Sequence, residues 1–127
     1  MAALLYVCLG SAIGGGARFL LTQWVLARAG AAFPFGTLLV NLLGSFSLAA
    51  IAFTAMDHGP LAPNLRLALT TGLLGGFTTF STFSFETMRL LQSGEQLRAL
   101  SYVCASLFGG LAAAFLGWAS ARWLLAS

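Results

Sequence analysis

The segment GLLGGFTTFSTFSFE, residues 72–86, decides how the rest of the chain is interpreted. It combines three glycines, five hydroxyl side chains and four phenylalanines within about four helical turns, and it ends on Glu86. A polar group in hydrocarbon costs free energy unless it finds a hydrogen-bond partner or faces water. So many hydroxyls in an apolar segment therefore indicate a helix with a polar face.

The composition of the whole chain places it in a membrane. Of its 127 residues, 59% are hydrophobic and 7% are charged, and the mean hydropathy is +0.92. This leaves too little polar surface to coat a soluble domain. The pI of about 9.5 comes from six arginines against three acids. Because these arginines are scattered singly, we expect no nucleic-acid partner.

The charged residues divide the chain into four apolar spans, each long enough for a bilayer crossing of about 20 residues. We predict a single transmembrane domain over residues 1–127. Its helices are predicted at residues 3–27, 33–56, 65–92 and 98–124, joined by short loops. No P-loop or catalytic motif occurs, so neither a nucleotide partner nor an enzyme is expected.

The arginines in the loops give the chain almost no preferred orientation. Arg66 and Arg122 fall on one side of the membrane, and Arg28, Arg89 and Arg98 fall on the other. Orientation follows such loop charges, and a difference of one is small. Both orientations could then insert, and two inverted copies could pair as an antiparallel homodimer. A single orientation set by other signals is the alternative that charge alone leaves open.

Polar side chains follow regular stripes on two of the other helices. Thr37, Asn41 and Ser45 recur at four-residue spacing in the second span, and Tyr102 and Ser106 do so in the fourth. A lone buried hydroxyl usually bonds to a carbonyl four residues earlier in its own helix. Stripes on three helices instead favour a polar pathway. Because they offer donors and no carboxylate near the middle, they favour an anion over a cation.

The third span carries two further signals. Phe80 and Phe83 are three residues apart and share a helix face beside the hydroxyls, where the positive edge of a phenyl ring can face a small anion. Gly72, Gly75 and Gly76 are expected to weaken the helix near its middle and to break it there. Such a break exposes backbone amides and carbonyls that can face ions.

Three motifs resemble the fluoride channel family known as Fluc or CrcB. They are GGGARF at 14–19, GTLLVNLLGSF at 36–46 and GGFTTFSTFSFE at 75–86, and the resemblance extends over the whole chain. It implies an all-α membrane protein of four transmembrane helices, the third broken near its middle, that forms an antiparallel homodimer. It further implies two antiparallel pores that export cytoplasmic fluoride passively, in the inner or plasma membrane of a bacterium and in contact with lipid.

The resemblance also implies roles for individual residues. One structural sodium ion at the dimer centre is held by the backbone carbonyls of Gly75 and Thr78, and Arg18 lies near the aqueous vestibule. Together with Thr37 from the stripe, the expected fluoride pore consists of Asn41, Phe80, Phe83, Ser81, Thr82, Tyr102, Ser106 and Glu86. Gly110, one turn beyond Ser106, lacks the hydroxyl expected in many relatives.

Two functions other than a channel explain part of this pattern. Small multidrug-resistance exporters also have four spans, but they use a carboxylate buried in the first span, and here that span contains none. A non-transporting accessory subunit would explain the small-residue face at Gly10 and Gly14, which allows close helix approach, but not the polar stripes. Cys8 and Cys104 lie in apolar runs, and their pattern indicates no metal site or disulfide.

Overall fold

The computed structural model describes residues 1–57 and 61–126, and these residues are helical apart from short connections. Helix α1 spans Ala2–Ala29 and helix α2 spans Phe35–Asp57. At the other end of the chain, one long helix spans Gln96–Ala126 and is called α6 below. These three helices are long and apolar enough to cross a bilayer.

The third predicted span is present as two separate half-helices. The first consists of α3 at Pro63–Leu67, a π-helical segment at Ala68–Leu74 and α4 at Gly75–Phe77; together they are called the N-terminal half-helix. The second is α5 at Phe80–Gln92. The prediction of an all-helical membrane fold with a broken helix is confirmed, and the protein is a multi-pass membrane protein.

The break itself lies at Thr78 and Thr79, just beyond the glycines that were expected to cause it. Both residues have extended backbone, with φ −80° and ψ 159° at Thr78 and φ −154° and ψ 113° at Thr79. Gly75 is helical, with φ −64° and ψ −39°. The break therefore begins after the glycines, and the prediction was wrong about its position.

The glycines serve close packing instead. A Cβ atom on Gly72 would lie 2.9 Å from the carbonyl oxygen of Val7, and one on Gly76 would lie 2.7 Å from that of Ser11. Both neighbours belong to α1, so the N-terminal half-helix lies with its backbone directly against α1. This contact needs residues without a side chain, which is a different use of glycine from a helix break.

The remaining helices surround the broken one. Helix α2 packs along α6 and also contacts α1, while α5 packs on α6. Val40 of α2 and Tyr102 of α6 are fully buried. The backbone of Phe46 in α2 lies against Gly117 of α6, where a Cβ atom would meet its carbonyl. The break is thereby placed between α1 and α2, with α6 completing the wall beside α5.

Candidate functional site at the helix break

Asn41 joins α2 to the broken helix. The backbone N–H of Thr79 donates to Asn41 Oδ1 at 2.8 Å, and Asn41 Nδ2 donates to the Thr79 carbonyl at 3.1 Å. Asn41 thus bonds both backbone polar groups of one break residue. In a continuous helix the Thr79 N–H would bond to the carbonyl of Gly75. That carbonyl is therefore released from its helical bond, and the Asn41 amide keeps a second N–H for another acceptor.

Gly44 gives the break its place against α2. A Cβ atom on Gly44 would collide with the methyl group of Thr78. Gly44 lies three residues after Asn41, so both face the break from the same side of α2. Gly44 is absent from the site predicted above, although its three-residue spacing from Asn41 was a usable signal.

Thr79 caps the second half-helix with its side chain. Its Oγ1 accepts a hydrogen bond from the backbone N–H of Thr82 at 3.2 Å and donates to the hydroxyl of Thr82 at 3.0 Å. The hydroxyl of Ser81 lies 3.3 Å from the same oxygen. Thr79 was missed as a site residue, but a threonine three residues before a helical amide is a typical N-cap. Ser81 and Thr82 therefore join the site through Thr79.

A second cluster lies one helical turn away and links three helices. The Glu86 carboxylate of α5 accepts hydrogen bonds from the hydroxyl of Thr37 at 2.9 Å and from that of Tyr102 at 2.7 Å. Thr37 is buried and Tyr102 is fully buried. Two donors thus satisfy the carboxylate inside the membrane, where an unpaired charge would be expensive.

The predicted phenylalanine pair lies between the two clusters. The ring centroids of Phe80 and Phe83 are 5.5 Å apart, and those of Phe83 and Tyr102 are 5.1 Å apart. Phe83 is half-buried, whereas 80% of Phe80 is exposed in the single chain. The two rings therefore form the apolar wall that connects the break with the Glu86 cluster.

Two cavities lie near these clusters, and the two rings line one of them. A cavity of about 420 Å³ lies beside the loops and is lined by Thr37, Glu86, Arg89 and Glu95, among others. The second, of about 500 Å³, lies at the break. It brings together the following predicted positions: Asn41, Gly75, Thr78, Phe80, Phe83 and Ser106. Thr37 of the first cavity and Asn41 of the second are one helical turn apart along α2.

Ser106 is the polar residue of the second cavity that lacks a partner. Its Oγ is buried and makes no hydrogen bond within the described part of the chain. Such groups are rare in folded proteins, because a buried hydroxyl without a partner costs about 1–3 kcal/mol. At the next turn, a Cβ atom on Gly110 would lie 3.9 Å from the hydroxyl oxygen of Ser45. Helix α2 therefore supplies a hydroxyl at the level where α6 lacks one.

Arg18 contacts the break from the side of α1. Its Nη1 donates to the carbonyl of Thr78 at 3.3 Å, and the side chain is half-buried. The family resemblance implied a place near a vestibule, and the structure adds this direct contact with the break.

The carbonyls of Gly75 and Thr78 fit the type of ligand that a small cation requires. Both residues line the second cavity, and both lie at the C-terminal end of the N-terminal half-helix, where the helix dipole is negative. Neutral carbonyl oxygens are common ligands of alkali cations in membrane proteins. One chain offers two such oxygens.

Comparison with known proteins gives a consistent result over nearly the full length. The family model described as CrcB-like protein, Camphor Resistance (CrcB), matches residues 5–118. A protein of Anaeromyxobacter dehalogenans named "Fluoride-specific ion channel FluC" is 48% identical over 124 residues, 98% of each chain. The protein of that name from Thermus thermophilus is 50% identical over 114 residues, covering 90% of this chain and 89% of its own. "Fluoride-specific ion channel FluC 2" of Moorella thermoacetica is 47% identical over 117 residues, with 92% and 94% covered.

Proposed function

The chain belongs to the CrcB family, and from this premise we propose that it is a passive, fluoride-selective channel that carries fluoride out of the cytoplasm. The relatives above are named fluoride-specific ion channels. The observation that carries the proposal is the cavity at the break, where polar groups of α2, α6 and the break residues Thr78 and Thr79 meet beside two phenylalanines. A packing interface would have its polar groups paired, whereas here the Ser106 hydroxyl has no partner within the described residues.

Donors along this cavity suit a small anion. The second N–H of Asn41 on α2 and the hydroxyl of Ser106 on α6 both border the cavity at the break. The ring edges of Phe80 and Phe83 carry partial positive charge. Together these groups replace part of the hydration shell of fluoride without binding it so strongly that it cannot leave.

The Glu86 cluster controls the other end of the path. The hydroxyls of Thr37 and Tyr102 both donate to Glu86 and so offset its negative charge. In this proposal that compensation lowers the repulsion between the carboxylate and an anion that passes between the loop cavity and the break cavity.

The assembly in this proposal is an antiparallel homodimer with two antiparallel pores. Its support is the one-charge difference between the loops and the 80% exposure of Phe80 beside an open cavity. The backbone carbonyls of Gly75 and Thr78 from both copies would hold a structural sodium ion. When bound, this ion would supply positive charge that offsets the partial negative charge of these oxygens.

Such a channel needs no energy source beyond the membrane potential. A potential negative inside drives an anion outward by about 2.3 kcal/mol for each 100 mV. A passive route therefore suffices to lower cytoplasmic fluoride.

Efflux from vesicles tests the proposal. The purified protein is reconstituted into vesicles loaded with equal fluoride and chloride, and both ions are followed with electrodes after a potassium ionophore is added. Rapid release of fluoride with retention of chloride is expected, and protein-free vesicles should retain both. Equal release of the two ions would contradict selectivity, and release of neither would contradict a channel.

A further inference from the structure

Arg18 is a charged residue in the membrane-spanning helix α1, and its contact with the Thr78 carbonyl suggests a specific task. We propose that Arg18 is a positioning residue that caps the N-terminal half-helix and fixes the direction of the Thr78 carbonyl. This role goes beyond the general one of a vestibule charge, because it is defined by one backbone atom.

The spacing of α1 delivers the arginine to this atom. Gly10, Gly14 and Arg18 are four residues apart and so lie on one face of the helix. A Cβ atom on Gly10 would lie 2.8 Å from the backbone nitrogen of Leu73, and one on Gly14 would lie 2.9 Å from that of Phe77. Gly10 and Gly14 thus contact successive turns of the N-terminal half-helix. Arg18, the next residue on the same face of α1, lies at the C-terminal end of that half-helix.

The end of the half-helix needs such a partner. The last carbonyls of any helix have no partner within that helix, and hydrocarbon offers no water to replace it. These carbonyls also form the negative end of the helix dipole, which a cation complements. The same contact compensates the guanidinium, whose charge is costly within a membrane span unless it is paired.

Arg18 and Asn41 hold consecutive residues of the break from opposite sides. Arg18 of α1 bonds the carbonyl of Thr78, and Asn41 of α2 bonds both backbone groups of Thr79. Extended backbone between two half-helices is thereby fixed at both residues. If the proposed function holds, the Thr78 carbonyl oxygen accepts from Arg18 with one lone pair and faces the central cation site with the other, and this consequence rests on the proposed function.

Selective isotope labelling isolates the carbonyl in question. The sequence contains two Thr–Thr pairs, Thr70–Thr71 and Thr78–Thr79. Protein labelled with ¹³C at threonine carbonyls and ¹⁵N at threonine amides therefore gives two signals in a carbonyl–amide correlation spectrum. One signal reports on the Thr78 carbonyl. The other reports on the Thr70 carbonyl, which lies four residues after Arg66 in the N-terminal half-helix and serves as an internal control. This readout requires no fluoride and no transport.

The matched variants are Arg18→Met and Arg28→Met. Arg28 belongs to the same helix but stacks over the ring of Trp24, with its guanidinium carbon 4.0 Å from the ring centroid. We expect Arg18→Met to move the Thr78 carbonyl signal upfield, as loss of a hydrogen bond does, and to leave the Thr70 signal in place. Arg28→Met should move neither signal.

Arg18→Lys and Arg18→Gln keep the test decisive if Arg18→Met does not fold. Lysine keeps the charge and glutamine keeps a neutral donor, so each should move the Thr78 signal less than methionine does. A Thr78 signal at the parental position in every folded Arg18 variant would overturn the proposal. Fluoride efflux, measured in parallel, should be highest in Arg18→Lys, lower in Arg18→Gln and lowest in Arg18→Met. If the Thr78 signal moves in Arg18→Met but the parent protein passes no fluoride, the role of Arg18 as a cap is supported and the proposed function is refuted.

Discussion

Replacing Asn41 separates its two tasks, which are to hold the break and to face the passing ion. Asn41→Ala removes the hydrogen bonds of 2.8 and 3.1 Å to Thr79 and leaves two backbone groups without partners. Each unsatisfied buried group costs about 1–3 kcal/mol, while side-chain hydrogen bonds between membrane helices average about 0.6 kcal/mol. We therefore expect a destabilisation of about 2–4 kcal/mol.

Asn41→Asp tests the second task. The aspartate still accepts from the Thr79 N–H, but it loses the donor to the Thr79 carbonyl and adds a negative charge beside the cavity. At about 4 Å, two unit charges repel by about 4 kcal/mol at an effective dielectric constant of about 20. This lowers the occupancy of an anion roughly 1,000-fold. Fluoride efflux should accordingly be almost abolished.

The assay for both variants combines unfolding with transport. Unfolding by dodecyl sulfate in mixed micelles, followed by tryptophan fluorescence, gives the stability change, and vesicle efflux is normalised to folded protein. Asn64→Ala is the control, because Asn64 is the other asparagine of the chain and lies in α3, outside both cavities. An Asn41→Ala protein as stable as Asn64→Ala, or an Asn41→Asp protein with parental efflux, would refute the reasoning.

Three further predictions follow from the packing and the loops. Phe80→Ile and Phe83→Ile should each lower fluoride efflux while costing under about 1.5 kcal/mol in stability; parental efflux in both would show that the ring edges are not used. Gly76→Ala should destabilise by about 1–3 kcal/mol in the same unfolding assay, because the methyl group meets the backbone of Ser11, whereas Gly15→Ala, with open space around it, should be neutral or slightly stabilising. Two lysines added to the loop after Leu91 should force one orientation and reduce efflux unless an oppositely biased copy is supplied; reporter fusions that already show one orientation in the parent would contradict dual insertion.

The fold could be predicted well from the sequence because membrane helices depend on composition. Where the chain faces lipid, hydrocarbon admits only helices or closed barrels, so the charges at residues such as Arg28 and Arg98 are enough to separate the spans. The break was predicted in the correct helix, but at the glycines rather than at Thr78 and Thr79. A glycine in a helix either weakens the helix or allows close contact with a neighbouring helix. Only the position of α1 shows that Gly72 and Gly76 allow close contact.

The site was predictable in its side chains and not in its contacts. The four-residue stripe identified Thr37 and Asn41, since both must avoid lipid. Their partners, Glu86 and the Thr79 backbone, lie 49 and 38 residues away in sequence, and no spacing rule connects them. The bond from Arg18 to Thr78 spans 60 residues and depends on how α1 crosses the half-helix. Such pairings follow from tertiary packing alone.

The most direct test of the central claim is whether fluoride comes close to Asn41. Protein labelled with ¹⁵N in asparagine side chains contains two labelled positions, Asn41 and Asn64. Solid-state NMR of the protein in lipid at saturating fluoride can measure the dipolar coupling between each amide nitrogen and ¹⁹F. A path along the break predicts that the Asn41 signal is dephased by ¹⁹F and that the Asn64 signal is not. Equal, absent or reversed dephasing, in a sample that passes fluoride, would place the path elsewhere.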